Sequence, residues 1–413
     1  MIVAELKTLN KKQIIDICYG ATFLGSGGGG PFKTGNTLIG TLKIKQGKSN
    51  LYDAVQTLVN NVFRNLPEDV EVTVKTVEEV DDHVGLTAVV AFIGSPNAML
   101  QLDNVDPVIA AFEKLNDQLK LKNQRIGYVI PVELGALNSI VPILVAAQKE
   151  IPVINADGAG RAVPSLTTTT FGAADLSANP TILAKSEKKG ISVFVETAAE
   201  AESFVRPVLE FFDEQAGLAM WAMDKETLQR AVPIRGTLQL AQEVGELFNH
   251  TAIFPEQSVE YIIHAIVQKL NEYGWQAAPV FAGIVQPPEQ KTQGGFDYGT
   301  VILRNEENQQ EAWIYNQNEN LIAWNPQKSA PIITAPDSIC YLYIDRDLNG
   351  SVLRVLPFSN ADIIPLGIVG KMAILIGIVA HEEWQSNLKL RNSFMKILAD
   401  LGFRVPYKPF PEW

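Results

Sequence analysis

Cysteine is nearly absent from this chain: Cys18 and Cys340 are the only two among 413 residues, and they lie far apart. A disulfide framework and a zinc ribbon are therefore excluded, and the usage fits a reducing compartment, so a cytoplasmic location is expected. Histidine is equally sparse. His83, His250, His264 and His381 are scattered, and no two stand at metal-ligand spacing. Basic charge is in deficit, with Lys+Arg 34 against Asp+Glu 46 for a net charge of -12. No basic block offsets it, which argues against a nucleic-acid or anionic-membrane partner. Long apolar runs are missing too. The longest, residues 363–380, is broken by Pro365, Gly367, Gly370 and Lys371, so it reads as strands with a turn rather than a membrane span. The first residues hold no apolar core followed by a small-residue cleavage site, so no signal peptide is expected. There is no Gly-x-Ser-x-Gly nucleophile elbow, internal repeat or low-complexity tract.

What is present is enough apolar material, 46% of residues, to bury a sizeable core. The length suits two domains. Up to about residue 275 the pattern alternates buried strands (86–93, 125–131, 151–154, 191–196, 218–223) with amphipathic helices (from Asn10, then 51–63, 106–119, 140–148, 200–212, 236–248 and 259–270). From residue 277 the texture changes to short runs of Val, Ile, Tyr and Trp punctuated by Gly, Asn and Pro, the signature of antiparallel strands. The expected fold is thus α/β with two domains: an alternating α/β domain over residues 1–275 and a β-rich antiparallel sandwich or barrel-like domain over 276–384. Residues 385–413 are expected to pack back on the body.

Three stretches carry chemistry-bearing residues. The first helix ends in Gly25-Ser26-Gly27-Gly28-Gly29-Gly30-Pro31, a run costly to order, whose successive N–H groups can form an anion-holding nest. A dinucleotide fingerprint needs a strand before its glycines, and a P-loop needs Gly directly before Lys33-Thr34, where Phe32 stands. No nucleotide is therefore expected. The bland alternative is a helix-ending loop. The strand at 125–131 delivers Pro131-Val132-Glu133-Leu134-Gly135-Ala136-Leu137-Asn138, with an acid just past a strand end and an asparagine placed to cap the next helix. The strand at 151–154 delivers Asn155-Ala156-Asp157-Gly158-Ala159-Gly160-Arg161, with an acid, two glycines and a guanidinium in one turn. Ligands in α/β sheets bind at such strand ends. Glu133 and Asp157 near one sheet edge can form a carboxylate pair of split acidity, or bind a divalent cation. The bland alternatives are a solvated Glu133 and an Asp157–Arg161 structural pair. Thr167-Thr168-Thr169-Thr170 follows as a β-favouring run, read as a strand whose alternate hydroxyls can face the Asp157 turn. Asp345-Arg346-Asp347-Leu348-Asn349-Gly350 looks like the start of a calcium loop, but position twelve is Leu356, so a hairpin turn is expected.

Taken in order, these stretches resemble the S-methyl-thiohydantoin desulfurase-like family, whose members often sit beside hydantoinase/oxoprolinase proteins. The resemblance rests on residues 24–30, on Pro131-Val132-Glu133-Leu134-Gly135-Ala136-Leu137-Asn138-Ser139, and on residues 155–164. It extends to Gly294-Gly295-Phe296 and to Asn316-Gln317-Asn318-Glu319-Asn320-Leu321-Ile322-Ala323-Trp324, and so covers nearly the whole chain. The resemblance implies an enzyme acting on a small cyclic ureide or its sulfur analogue, with water replacing a sulfur leaving group. It implies Asp157 as base or metal ligand with Glu133 as partner, and Arg161 holding a substrate anion. Ser26 and the backbone of Gly27, Gly28, Gly29 and Gly30 would cradle the ring carbonyl or carboxylate, while Asn138, Thr168 and Thr169 orient the substrate. A small-molecule substrate, a homo-oligomer and a hydantoinase-type partner are the expected associations, with a divalent metal left open. The family's acids after the glycine run and after Pro164 are here Pro31 and Ser165. Their loss motivates a second reading, a non-catalytic ligand-binding or partner subunit of a hydantoinase-type assembly.

Overall fold

The computed structural model describes residues 5–32, 55, 58–60, 62–102, 104–251, 259–346 and 350–411. Two sheets organise the two domains. The first holds β1 (Thr8–Leu9), β2 (Val72–Lys75), β3 (Leu86–Gly94), β4 (Ile126–Pro131), β5 (Val153–Ile154), β6 (Thr181–Ser186), β7 (Lys189–Val193) and β8 (Gln215–Met223). Their order is β1-β2-β5-β4-β3-β8-β6-β7. β2, β5, β4 and β3 run parallel, and β8, β6 and β7 extend the sheet antiparallel. β4 is buried along its whole length and β3 almost so, as parallel strands covered on both faces must be. Their uninterrupted apolar runs are the sequence counterpart of that burial.

The second sheet holds β9 (Ala277–Val285), β10 (Glu289–Gln293), β11 (Phe296–Arg304), β12 (Glu311–Gln317), β13 (Glu319–Asn325), β14 (Ala330–Thr334), β15 (Ser338–Arg346), β16 (Val352–Pro357) and β17 (Met372–Ile378). It is antiparallel in the order β14-β13-β12-β11-β9-β17-β15-β16, with β10 added beside β11. β13 and β14 fold back against β15, so the sheet is partly closed on itself. The Leu388–Asp400 helix buries Leu390, Phe394 and Leu398 in a cluster with Ala159, Val163 and Leu321, drawing the 155–164 turn and the second sheet together.

Two local expectations are corrected. The four threonines do not form a strand. Leu166–Thr168 is a single 3₁₀ turn and Thr170–Ala173 one helical turn. The hydroxyls satisfy nearby backbone instead: Thr168 Oγ1 donates to Ser165 O at 2.6 Å, and Thr169 Oγ1 accepts from Gly172 N at 3.0 Å. Asn138 does not cap its helix either. The Ala136–Lys149 helix starts after Gly135, so Asn138 lies in its first turn with the side chain free to reach elsewhere. The expected 51–63 helix falls largely outside the described residues, as do positions 347–349 of the expected β15–β16 turn.

Candidate active site

The carboxyl ends of β3, β4 and β5 lie side by side, and the loops leaving β4 and β5 meet there. Glu133, two residues past β4, is buried. Its Oε1 accepts from Asn138 Nδ2 at 2.7 Å and its Oε2 from Val163 N at 2.7 Å. Asn138 Oδ1 in turn accepts from Phe92 N at 2.9 Å, so one amide side chain fixes the carboxylate relative to β3. The β5 loop turns on Asp157, whose Oδ1 accepts from Ala159 N at 2.6 Å and Gly160 N at 2.7 Å. Gly158 N donates to Val132 O, which joins the two loops.

The second domain closes the site. β12 and β13 are joined at Asn318, whose φ of 60° is a left-handed conformation that asparagine tolerates. Asn318 Oδ1 accepts from Asp297 N at 2.8 Å. The next residue, Glu319, is buried at the start of β13. Its Oε2 has no hydrogen-bond partner among the described residues.

The glycine run is wedged between these parts. A Cβ on Gly28 would stand 2.1 Å from Glu319 Oε1, and one on Gly29 only 2.3 Å from Gly135 Cα. Gly29 also has φ of 73°, which excludes most side chains. Backbone contacts fix the loop on both sides. Asn320 N donates to Ser26 O at 2.7 Å, Asn360 N to Gly27 O at 2.8 Å, and Leu137 N to Gly29 O at 3.2 Å.

A cavity of about 50 Å³ opens where the loops meet, with room for a few water molecules. Gly29, Gly30, Glu133, Asn138, Asn318 and Glu319 form its polar side, and Phe92, Met99, Val132 and Leu218 its apolar side. Ser165, Thr169 and Arg206 also line it.

Burial pushes Glu133 up to about 7, and the nearby charge of Asp157 adds to this, against the N–H of Val163 and the Asn138 amide. Burial also holds Glu319 well above the usual carboxylate range, reinforced by Glu133 and opposed by Arg161. Asp157 is pushed up to about 6 by burial, against the Thr237 hydroxyl and its two backbone donors. Two carboxyls facing one cavity, each raised by burial, disfavour being ionised together.

The structure distributes the expected site residues unequally. Glu133, Asn138, Thr169, Gly29 and Gly30 line the cavity. Asp157 lies behind its wall, within electrostatic reach of Glu133 but not among the lining residues. Gly27 and Gly28 lie in the loop behind Gly29, and Thr168 is occupied by its own turn. Ser26 is committed to β15, where its Oγ accepts from Ile339 N at 2.9 Å. Arg161 is buried and stands off the cavity. It donates to Ala162 O at 3.0 Å, Pro336 O at 2.9 Å, Asp337 O at 2.8 Å and Asn320 O at 3.0 Å, and lies over the Phe394 ring at 5.3 Å. Its donors hold the second domain rather than a substrate anion. No group of three or more His, Cys, Asp or Glu among the described residues is arranged to hold a metal ion. No helix among them is long and apolar enough to cross a membrane. Glu319, Asn318 and Arg206 were not singled out as site residues. The available signal was an acid between two asparagines just before the apolar 321–324 run.

Two family models match this chain. The S-Me-THD-like N-terminal domain matches residues 12–197, and the S-Me-THD-like C-terminal domain matches residues 196–392. The chain belongs to the S-Me-THD-like family. The two models meet between β7 and β8, inside the first sheet. The chain is also similar to a crystal structure of a protein from Chromobacterium violaceum, at 28% identity and a TM-score of 0.77, covering 98% of this chain and 100% of that one. A search of curated proteins gave no match.

Proposed function

We propose that this S-Me-THD-like chain is a hydrolase of small five-membered cyclic ureides or their S-substituted thio analogues, desulfurase-like in its chemistry. The observation that carries the proposal is the pair Glu133 and Glu319, two buried carboxyls from different domains facing one cavity. In the proposed step, the oxygen of water bonds to the ring carbon between the two nitrogens, and the carbon–sulfur bond then breaks. One carboxylate takes a proton from water and the other carboxylic acid supplies one to the departing thiolate. The products are a ring carbonyl and a thiol, so atoms and charge balance. Glu133, oriented by Asn138 and Val163, is assigned as the base, and Glu319 as the acid. Asp157 is assigned as a positioning residue whose charge adds to burial in raising the proton affinity of Glu133. In this reading the Asn318 amide and the Gly30 backbone, which line the cavity, meet the ring's amide groups.

The test is thiol release from an S-methyl-thiohydantoin, read with a thiol reagent and by the change in ring absorbance. Release by the native protein and a loss of about 10²–10⁴-fold in Glu133→Gln support the assignment. Release that Glu133→Gln leaves unchanged removes Glu133 from the chemistry. Binding without release favours the ligand-binding subunit, the reading motivated by Ser165 at the cavity where the family carries an acid.

A further inference from the structure

A groove of about 1120 Å³ adjoins the cavity and is far larger than it. Its walls are the Ala198–Glu210 helix and the Leu388–Asp400 helix, with Thr167, Gly172, Phe296 and Gln317 between them. Ser165 and Arg206 line both the groove and the cavity, so the two spaces meet at these side chains. Arg206 is fixed at the junction. It bonds Glu202 Oε1 at 2.5 Å, Gly295 O and Pro164 O at 3.1 Å, and lies 3.7 Å over the Phe296 ring.

The dimensions and the lining define what fits. The cavity holds little more than the reacting edge of a five-membered ring. Charges around the groove cancel, with Asp175, Glu196 and Glu202 against Arg206, Lys389 and Lys396. Lys389 is paired with Asp175, and Arg206 with Glu202. Between these pairs the exposed area is mostly apolar, through Leu176, Ala198, Pro207, Phe296 and Ile397, with the polar groups of Ser203, Gln317, Asn392 and Ser393 set among them. Such a surface gains from burying an uncharged apolar group and gives no net attraction to an ion.

We infer that this groove is a subsite for a largely apolar, uncharged substituent on the ring, so that the substrate is a substituted ring rather than a bare one. The inference rests on the ring hydrolysis proposed above. The experiment compares the unsubstituted S-methyl-thiohydantoin with its 5-isobutyl and 5-benzyl derivatives, on the native full chain and on Ser393→Trp and Ala199→Trp, which fill the groove from opposite walls. Neither position touches the carboxyl pair. The expected result is a KM for the 5-benzyl compound about tenfold or more below that of the bare ring. Each tryptophan raises that KM about tenfold while leaving kcat/KM for the bare ring within about twofold. Equal KM values for all three compounds overturn the subsite, as does a 5-benzyl KM that neither tryptophan changes. Turnover of the bare ring then leaves the proposed hydrolysis standing. Failure of every compound to release thiol or to shift the melting temperature removes the subsite together with the reaction.

Discussion

Arg161 decides between a ligand arm and a structural clamp, and Arg161→Ala separates the two. The guanidinium is 2% exposed and donates to four carbonyls, three of which, on Asn320, Pro336 and Asp337, belong to the second domain. Truncation leaves those three acceptors without their donor in a dry environment, at about 1–3 kcal/mol for each orphaned group. It also opens a void over Phe394 and removes a cation from beside Glu133, Glu319 and Asp337. Relief of the desolvation cost of a buried charge offsets part of this, and the net for breaking such a buried set is about 3–5 kcal/mol. Against a typical total of about 5–15 kcal/mol, that is a large fraction. The assay is urea unfolding followed by both circular dichroism and tryptophan fluorescence, with the midpoint compared at fixed pH. Arg161→Lys is expected to recover little, because a point charge on a flexible stem cannot serve carbonyls arranged around a planar fork. A loss below about 1 kcal/mol, with KM raised instead, would refute the clamp and return Arg161 to the substrate.

Asp157→Asn removes the charge that raises Glu133, so the basic carboxyl should titrate at lower pH while kcat at the plateau falls only a few-fold; a loss of about 10²–10⁴-fold at every pH would make Asp157 itself the base. The stability–pH curve should carry the same groups. Glu133 rises from 4.5 to about 7 and Asp157 from 3.8 to about 6, so the folded state binds their protons more tightly than the unfolded chain. Their contribution is complete below about pH 4 and is lost as pH climbs through 6 to 7, and Glu133→Gln should flatten that decline in pH-resolved urea titrations. Gly28→Ala should destabilise by about 1–3 kcal/mol, because its Cβ would press on Glu319 Oε1 from 2.1 Å; an unchanged melting temperature would mean that the loop is not wedged as described.

Much of this arrangement was legible from the sequence because it follows local rules. The continuous runs 86–93 and 125–131 became β3 and β4, and because β4 and β5 are neighbouring parallel strands, acids just past each were brought to one edge. What was not legible depended on partners far along the chain. Nothing local distinguishes a guanidinium that reaches a ligand from one that reaches carbonyls at 320, 336 and 337. Glu319 pairs with Glu133 only once the β12–β13 hairpin docks across the first domain. The threonine run failed for a different reason. β-branching favours strands, but hydroxyls that satisfy Ser165 O and Gly172 N compete locally and won. β6 was missed because its six residues follow Pro180 and end in Lys185-Ser186, too short and mixed a run to stand out.

The use to which the glycine loop is put bears on the kind of ligand. A phosphate site needs N–H groups or a helix N-terminus turned to the ligand. Here the loop offers carbonyls: Ser26, Gly27 and Gly29 accept from Asn320, Asn360 and Leu137, and Gly29 O thereby takes up the first turn of the Ala136–Lys149 helix. Among the described residues that line the cavity the single cation, Arg206, is held by Glu202. With that cation engaged and two carboxyls raised by burial beside it, the described lining is poorly matched to a dense anion. Under the hydrolysis proposed above, the ligand is an uncharged polar ring whose C=O and N–H groups are met by Asn138, Asn318 and a carboxylic acid in turn. The same feature, burial among glycines and apolar side chains from both domains, therefore sets both the proton affinity of the carboxyls and the polarity of the cavity they face.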